Sequence, residues 1–149
     1  MRYYPYNLTI LGKIYIAEDD GFITNISFKE LKAQKEETPL IKKTYLELEE
    51  FLNKKRKTFD IPILPKGTNF QKRVWEELLK IPYGQTVTYK DIAQRIGNEK
   101  ACRAVGMANN KNPIVIIIPC HRVVGTNNNL TGYSGGVEIK QKLLELESI

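Results

Sequence analysis

One thiol and one imidazole stand side by side in the chain, at Cys120 and His121. His121 is the only histidine, and Cys120 is one of two cysteines. A free cysteine is only slightly ionised at neutral pH, and a neighbouring imidazole or positive charge makes it a stronger nucleophile. Unpaired cysteine is also among the most buried residue types, so an inert packed thiol is an equal alternative for this pair taken alone. The surrounding elements must decide between the two.

The segment before the thiol has the composition of a buried strand. Five β-branched apolar residues, 114–118, run directly into Pro119. Such a run predicts a strand that ends at the proline, because proline cannot donate to a sheet ladder. A strand end would present the Cys120 thiol to a cleft from a rigid element.

The last predicted helix, Val137 to Glu147, would bring a carboxylate towards the pair. Its apolar residues predict an inward face that carries Ile139, Leu143 and Leu146. At 100° per residue, Glu147 lies about 40° from Leu143, on the edge of that face. A carboxylate there would orient an imidazole, as in activated nucleophiles. The alternative is an exposed glutamate at a frayed helix end.

A helix-turn-helix pattern precedes the strand. Thr88 predicts the N-cap of a helix to Ile96, a turn follows at Gly97-Asn98, and Asn98 would cap a second helix from Glu99 to about Asn109. One face of the second helix would pack against the protein interior. Small residues lie on or next to the opposite face, where they would let another surface, such as a nucleic-acid groove, approach the helix backbone closely. The packing face carries Ala101, Val105 and Ala108. The opposite face carries Lys100, Arg103, Ala104 and Met107. The small residues are Ala104 and Gly106. The alternative is an ordinary helical hairpin with a surface arginine.

The first half of the chain has a different pattern of apolar residues, one typical of strands. Apolar alternation across residues 8–28, with a turn signal at Asp19-Asp20-Gly21, predicts a hairpin. A helix with Thr38 as its N-cap follows, and the proline-rich segment 60–67 predicts a linker. A capping box at Thr68 and Gln71 then opens mainly helical sequence. The prediction is an α+β protein with an N-terminal lobe at 1–62 and a C-terminal domain at 63–149.

Bulk properties narrow the function classes. The net charge of +6 and a pI near 9.2 favour a polyanion partner, nucleic acid first and an anionic membrane surface second. No apolar run is long enough to span a bilayer, and no secretion signal is evident. Two cysteines form no disulfide framework, which predicts a reducing, cytoplasmic location. One histidine and two cysteines are too few for an ordinary closed zinc site without carboxylates. Residues 1–62 contain neither cysteine nor histidine, so no metal is expected.

These separated segments together resemble the O6-alkylguanine-DNA alkyltransferases. The resemblance covers residues 67 to 147, while residues 1 to about 62 resemble the family's ribonuclease-H-like N-terminal lobe only in plan. The matching segments are Thr88-Tyr89, Ala101 to Gly106, Asn112-Pro113, Pro119 to Val123, Tyr133 to Gly136 and Glu147.

The resemblance implies repair of DNA by direct, irreversible transfer of an alkyl group to Cys120. The substrate would be O6-alkylguanine in duplex DNA, with O4-alkylthymine an open second substrate. His121 would act as base through a water, and Glu147 would hold the imidazole. Asn112 would brace the loops around the site, and Tyr89 would assist the departing guanine. The implied pocket residues are Tyr133, Ser134 and Gly132, with the main-chain carbonyls of Cys120 and Val123 reading the exocyclic amine.

The same resemblance implies a monomer that uses no cofactor and binds double-stranded DNA from the minor groove. The target base would be flipped out of the stack, and Arg103 would fill the space that the base leaves. The implied DNA contacts are Thr88, Lys100, Arg103, Ala104, Gly106 and Met107.

Two other readings compete with a single-turnover alkyl acceptor. A non-catalytic sensor of alkyl lesions would bind DNA and transfer nothing. A cysteine hydrolase or thiol redox enzyme would turn over repeatedly, and it would have no use for Arg103. A hydrolase also needs an oxyanion hole, which the sequence does not display.

Overall fold

The computed structural model describes residues 1–130 and 133–148. The chain forms two compact units. The first holds Met1–Lys66 together with Pro113–Ile117, and the second holds Gly67–Asn112 and the described residues from Ile118 onward.

The first unit is built on a four-stranded sheet. Its strands are β1 (Arg2–Leu8), β2 (Gly12–Asp19), β3 (Phe22–Ser27) and β4 (Gln34–Lys35). The order is β3-β2-β1-β4, with β4 parallel to β1 and the other pairs antiparallel. The turn predicted between β2 and β3 is confirmed, because Asp20 and Gly21 both have positive φ, 51° and 83°. Two successive residues with positive φ match the right-handed twist of the hairpin strands.

One helix, α1 (Pro39–Leu52), packs on this sheet. The predicted cap is confirmed, since the Thr38 hydroxyl accepts the Ile41 N–H at 3.1 Å. Apolar residues at helical spacing on α1 meet alternating apolar residues of the strands to form the core of this unit. Its fully buried members include Ile14, Ile16, Ile23, Ile26, Ile41, Leu48 and Phe51.

Part of the segment predicted as a linker is bound to β3. The Ile23 N–H donates to the Pro62 carbonyl, and the Leu64 N–H donates to the Ile23 carbonyl, both at 2.9 Å. The two prolines prevent a helix, as expected, but they leave the N–H of Leu64 available for this pairing. The prediction of a linker over 60–67 is therefore wrong around Ile63.

The strand predicted over 114–118 is also interrupted. Ile26 and Ile114 form a bridge, and the Val115 N–H donates to the Ile26 carbonyl at 3.2 Å. Ile116 then has φ 74°, which is uncommon for a β-branched residue. The chain turns at this point, where it leaves the first unit and enters the second at Ile118. Apolar composition correctly predicted burial, but it could not show the turn.

The second unit is mainly helical. Its elements are α2 (Asn69–Leu78), β5 (Val87–Thr88), α3 (Tyr89–Arg95), α4 (Cys102–Asn110), β6 (Val123–Val124) and α5 (Val137–Glu147). The predicted capping box of α2 is confirmed, with Thr68 and Gln71 exchanging hydrogen bonds. The α2 side chain of Trp75 is buried and donates from Nε1 to the Ala108 carbonyl of α4 at 2.9 Å. The α+β class with a helical second unit is confirmed.

The helix-turn-helix is present as α3 and α4. Thr88 and Asp91 form a capping box at the start of α3, and Gly97 turns the chain with φ 79°. The second helix begins at Cys102 and not at Glu99, because the Asn98 carbonyl accepts the Ala101 N–H in a separate turn. Asn98 is therefore not its cap. None of the helices in the described part of the chain is long and apolar enough to cross a membrane.

Candidate active site

Cys120 to Arg122 form a short, buried 3₁₀ turn in the second unit. The Cys120 N–H donates to the Ile118 carbonyl at 2.8 Å, and the Arg122 N–H donates to the Pro119 carbonyl at 3.0 Å. The three side chains of the turn are buried. Immediately after the turn, β6 pairs in parallel with β5, so that Val123 lies opposite Val87 and Val124 opposite Thr88. This pairing sets the start of α3 beside the turn.

The Asn112 side chain braces the turn from the segment before it. Its Nδ2 donates to the Ile118 carbonyl at 2.8 Å. Asn112 is buried, and its amide also hydrogen-bonds Cys120. The residue thus holds both the backbone that leads to the thiol and the thiol itself.

His121 lies against Glu147 in the interior. The imidazole is fully buried, and its Nε2 lies 2.6 Å from Glu147 Oε2. Burial lowers the pKa of His121, and the hydrogen bond to Glu147 does not fully offset that effect. The ring is therefore neutral at pH 7, with the proton on Nε2 where the carboxylate accepts it. Nδ1 keeps a free lone pair and makes no hydrogen bond to any residue that the structure describes.

Glu147 is held in place by more than the histidine. Arg122 donates from Nε to Oε1 at 2.8 Å and from Nη2 to Oε2 at 3.0 Å, and the Gly84 N–H donates to Oε1 at 3.1 Å. Burial alone would raise the pKa of Glu147, but the contacts with His121 and Arg122 lower it to about 2. The carboxylate is ionised and rigidly oriented.

Arg122 is itself fixed by its third nitrogen. Nη1 donates to the Ile81 carbonyl at 2.8 Å, and the guanidinium lies 5.6 Å from the centre of the Tyr83 ring. The planar fork suits a two-point contact with a carboxylate better than lysine would. Sequence analysis did not assign this residue a role, although it is adjacent to the histidine in the motif.

The Cys120 thiol is only 2% exposed. Burial raises its pKa to about 11, against the opposing effects of the Asn112 hydrogen bond and the Lys140 charge. The resting residue is therefore a protonated thiol. A nucleophile with this pKa needs a base at the moment of reaction.

The buried face of helix α5 matches the predicted one only in part, at Leu143. Lys140, Leu143 and Glu147 are buried, whereas Ile139 and Leu146 are only half-buried. The spacing of three and four residues places the buried residues on one face. Hydrophobicity alone selected Ile139 and Leu146, because a lysine and a glutamate are rarely buried without partners. The predicted burial of Glu147 itself is confirmed.

Lys140 is a component of the site that sequence analysis missed. Its side chain is fully buried, and Nζ lies 5.9 Å from the centre of the Tyr89 ring. Burial lowers the pKa of Lys140, while the nearby Cys120 raises it. Its position three residues before Leu143 and seven before Glu147 is the signal that could have found it.

Tyr89, the first residue of α3, lies close to the thiol. Burial and the neighbouring Cys120 raise the pKa of its hydroxyl, and a hydrogen bond from the Asn109 side chain partly offsets them. The phenol is therefore protonated at neutral pH and able to donate.

A cavity of about 350 Å³ opens between this tyrosine and the second helix of the helix-turn-helix. Its described lining includes Thr88, Tyr89, Cys102, Arg103, Gly106 and Gly125. Along α4, Arg103, Ala104 and Met107 are exposed, as is Lys100 just before the helix. A Cβ added at Gly106 would lie 3.9 Å from Tyr89 Cδ1, which is ordinary contact. Internal packing therefore does not require glycine there.

The other predicted pocket residues differ in burial. Tyr133 is buried, and that burial raises the pKa of its hydroxyl, with a further contribution from the nearby Cys120. Val123 is buried in β6, whereas Ser134 is exposed. Gly132 lies outside the described residues. Across 1–130 and 133–148 no cluster of histidine, cysteine, aspartate and glutamate could hold a metal ion, and the expectation of no metal stays a prediction.

Comparison with known proteins is consistent across the whole chain. Residues 69–149 match the model of the 6-O-methylguanine DNA methyltransferase DNA-binding domain, and residues 1–65 match that of the ribonuclease-like domain of the same family. The chain belongs to the 6-O-methylguanine DNA methyltransferase family. It is a DNA-repair methyltransferase that transfers an alkyl group to a protein cysteine.

Individual relatives agree with this assignment. The methylated-DNA–protein-cysteine methyltransferase of Methanosarcina acetivorans is 45% identical over 97% of both chains. The constitutive enzyme of Bacillus subtilis is 43% identical over 100% of this chain and 97% of its own. The structure of Mycobacterium tuberculosis OGT in complex with DNA matches with a TM-score of 0.90 and 39% identity, covering 99% of this chain and 92% of that one.

Family membership thus makes DNA the partner and a cysteine the acceptor. The chain offers two cysteines. Cys102 is half-buried at the start of α4, where its thiol contacts the Glu99 carbonyl at 3.6 Å. Cys120 lies beside the histidine and glutamate described above. The geometry favours the second.

Proposed function

We propose that Cys120 is the alkyl acceptor for O6-alkylguanine in duplex DNA. The observation that carries this assignment is the buried hydrogen bond between Glu147 and His121, the residue that follows Cys120 in the chain. A neutral imidazole whose Nε2–H is held by a carboxylate has its other nitrogen ready to take a proton. Among the residues that the structure describes, no such pair contacts Cys102.

His121 acts as the general base. Through a water, Nδ1 takes the Cys120 proton, and the positive charge that develops on the ring is stabilised by Glu147. Arg122 keeps the carboxylate aligned but also limits how basic the histidine becomes, because its charge lowers the pKa of His121. Lys140 favours the thiolate once it forms, since its charge lowers the pKa of Cys120.

The transfer is a simple displacement. The Sγ electron pair forms a bond to the alkyl carbon, and the bond from that carbon to guanine O6 breaks. The electrons stay on the guanine, and the Tyr89 hydroxyl donates a hydrogen bond or a proton to a ring nitrogen. The product is a thioether, which has no good leaving group, so each molecule reacts once.

The helix-turn-helix delivers the base to this site. We infer that α4 enters the minor groove, that the alkylated base is flipped out, and that Arg103 fills the vacated space. The exposed small side chain of Ala104 and the half-buried Gly106 support close approach of the helix backbone to DNA. Lys100, Met107 and Thr88 border the same surface, and the cavity beside Tyr89 lies next to it.

The remaining assignments concern recognition of the base. The Cys120 and Val123 carbonyls accept from the exocyclic amine, Ser134 donates to O6, and Tyr133 forms a pocket wall. Asn112 links α4 to the active-site turn. The protein acts as a monomer, and the acceptor thiol requires a reducing compartment, which favours the cytoplasm. Transfer from O4-alkylthymine stays a prediction.

The test is the intact mass of the protein after incubation with a duplex that carries one O6-methylguanine. Wild type and Cys102→Ala should each gain one methyl group in place of one hydrogen, and never a second. Cys120→Ala should gain nothing, because the nucleophile is absent. Peptide mapping should place the methyl group on the peptide that contains Cys120.

Three results would contradict the proposal. Methylation on Cys102 would reassign the acceptor. A folded wild type that binds the duplex without gaining mass would be a lesion sensor. Release of repeated product without a mass gain would indicate a hydrolase or redox enzyme.

A further inference from the structure

Asn109, in the last turn of α4, is a buried amide whose hydrogen-bonding capacity is only partly used. It is 1% exposed, and its Nδ2 donates to the Cys120 carbonyl at 3.4 Å. The same amide hydrogen-bonds the Tyr89 hydroxyl. Its Oδ1 is buried and makes no hydrogen bond to any described residue.

Stability does not explain this arrangement. A buried acceptor without a partner is costly, whereas an apolar residue of the same shape would avoid that cost. Leucine has the same branched side-chain skeleton as asparagine and is a better helix former. The presence of an amide here must therefore be explained by the groups to which its N–H atoms donate hydrogen bonds.

Those N–H atoms hold two groups that face the substrate in the proposed function. The Cys120 carbonyl would accept from the exocyclic amine of guanine, and a carbonyl oxygen has two lone pairs. Donation from Asn109 occupies one of them and fixes the direction of the other. The hydrogen bond from Asn109 therefore orients the Cys120 carbonyl before the base arrives.

We propose that Asn109 is a positioning residue that sets the preference of the site for a base with a 2-amino group. This inference rests on the proposed function and goes beyond it. O6-alkylguanine carries its only N–H hydrogens on that amine, since N1 has none and N9 bears the sugar. The residue lies on the same helix as Arg103, so the element that enters DNA also carries the group that orients the reading carbonyl.

The experiment compares single-turnover rates on two duplexes, one with O6-methylguanine and one with O6-methylhypoxanthine, which lacks the 2-amine. Wild type should react faster with the guanine. Asn109→Leu should reduce this preference about fivefold, the value of one hydrogen bond, mainly by slowing the guanine reaction. Asn109→Asp keeps the shape and the oxygen but loses the N–H donors, and should reduce the preference similarly.

Two controls separate positioning from structure. Asn110→Leu changes the exposed neighbour on the same helix and should leave the preference unchanged. The midpoint of thermal unfolding of Asn109→Leu should be at least that of wild type. If both Asn109 variants slow the two substrates equally, the residue is only structural and the inference is overturned. If wild type methylates itself with neither duplex, the proposed function fails instead.

Discussion

At the scale of single residues, burial keeps the proposed acceptor thiol protonated and unreactive in the resting protein. Burial raises the pKa of the Cys120 thiol to about 11, so the resting protein exposes little thiolate to oxidants or to stray alkylating agents. In the proposed mechanism the neutral His121 supplies the base, and its orientation depends on a carboxylate that two other residues, Arg122 and Gly84, also hold. The reactivity of one sulfur therefore depends on Glu147, which is distant from it in sequence.

We predict that Glu147→Gln lowers both stability and rate. The pKa of Glu147 is lowered from 4.5 to about 2 in the folded protein. Its stabilising contribution is therefore complete above pH 4.5 and is lost as the pH falls towards 2. From that shift the variant should lose about 3 kcal/mol of unfolding free energy at pH 7, with the pH-dependent gap closing in acid. Denaturant unfolding across this pH range measures it.

The rate effect has a separate cause. A glutamine amide that donates to Nε2 would move the ring proton to Nδ1, and the base would be lost. Single-turnover transfer should slow by about a hundredfold or more. Glu145→Gln, on the exposed side of α5, is the matched control. A stability gap between Glu147→Gln and wild type that does not change with pH would contradict the assigned ionisation.

At the scale of elements, α4 serves two surfaces. Its inner side packs through Val105 and Ala108 and holds the active-site turn through Asn109. Its outer side presents Arg103 and Met107, the latter 69% exposed. A glycine inside a helix costs stability, and the packing around Gly106 has room for a methyl group. The glycine is therefore better explained by approach of another molecule.

We predict that Gly106→Ala changes stability and DNA repair in opposite directions. The free energy of unfolding should rise by about 0.5–1 kcal/mol, because alanine favours the helix. Transfer from duplex DNA should slow, because the added methyl group holds the helix away from the groove. Transfer from free O6-methylguanine base should not change. An unaltered duplex rate would show that α4 does not enter a groove at this residue.

At the scale of the whole molecule, we expect the positive net charge to supply most of the affinity for DNA. The chain has 23 lysines and arginines against 17 acidic residues. Contacts with phosphates position a protein on DNA and supply most of its non-specific affinity, whereas base contacts supply sequence preference. A protein that must examine every guanine benefits from phosphate contacts and has little use for the sequence preference that base contacts give.

We predict a strong salt dependence and a weak sequence dependence of DNA binding. The logarithm of the association constant for undamaged duplex should fall linearly with the logarithm of salt concentration, because each phosphate contact releases counterions. Fluorescence anisotropy with duplexes of different sequence measures both. Sedimentation of the free protein should give a single species near 17.2 kDa. A flat salt response would contradict phosphate-based binding.

The sequence by itself determined the local features. Caps at Thr38, Thr68 and Thr88 follow from side-chain hydrogen bonds within three residues, and the hairpin turn follows from Asp20-Gly21. Such interactions depend on a few neighbouring residues, so their signals are present in the printed chain. The motif around Cys120, and the family resemblance based on it, can likewise be recognised from the order of the residues alone.

The tertiary structure decided which distant groups meet. The turn at Ile116 and the two contacts of Asn109 have no local signal in the sequence. The helical spacing of Lys140 from Leu143 and Glu147 was a signal, but only the packed structure shows that a lysine is buried there. Arg122 shows the same limit, since its position beside His121 was visible but its fork onto Glu147 was not. Hydrophobic periodicity predicts which face of a helix is buried, and only packing decides which polar groups are buried with it.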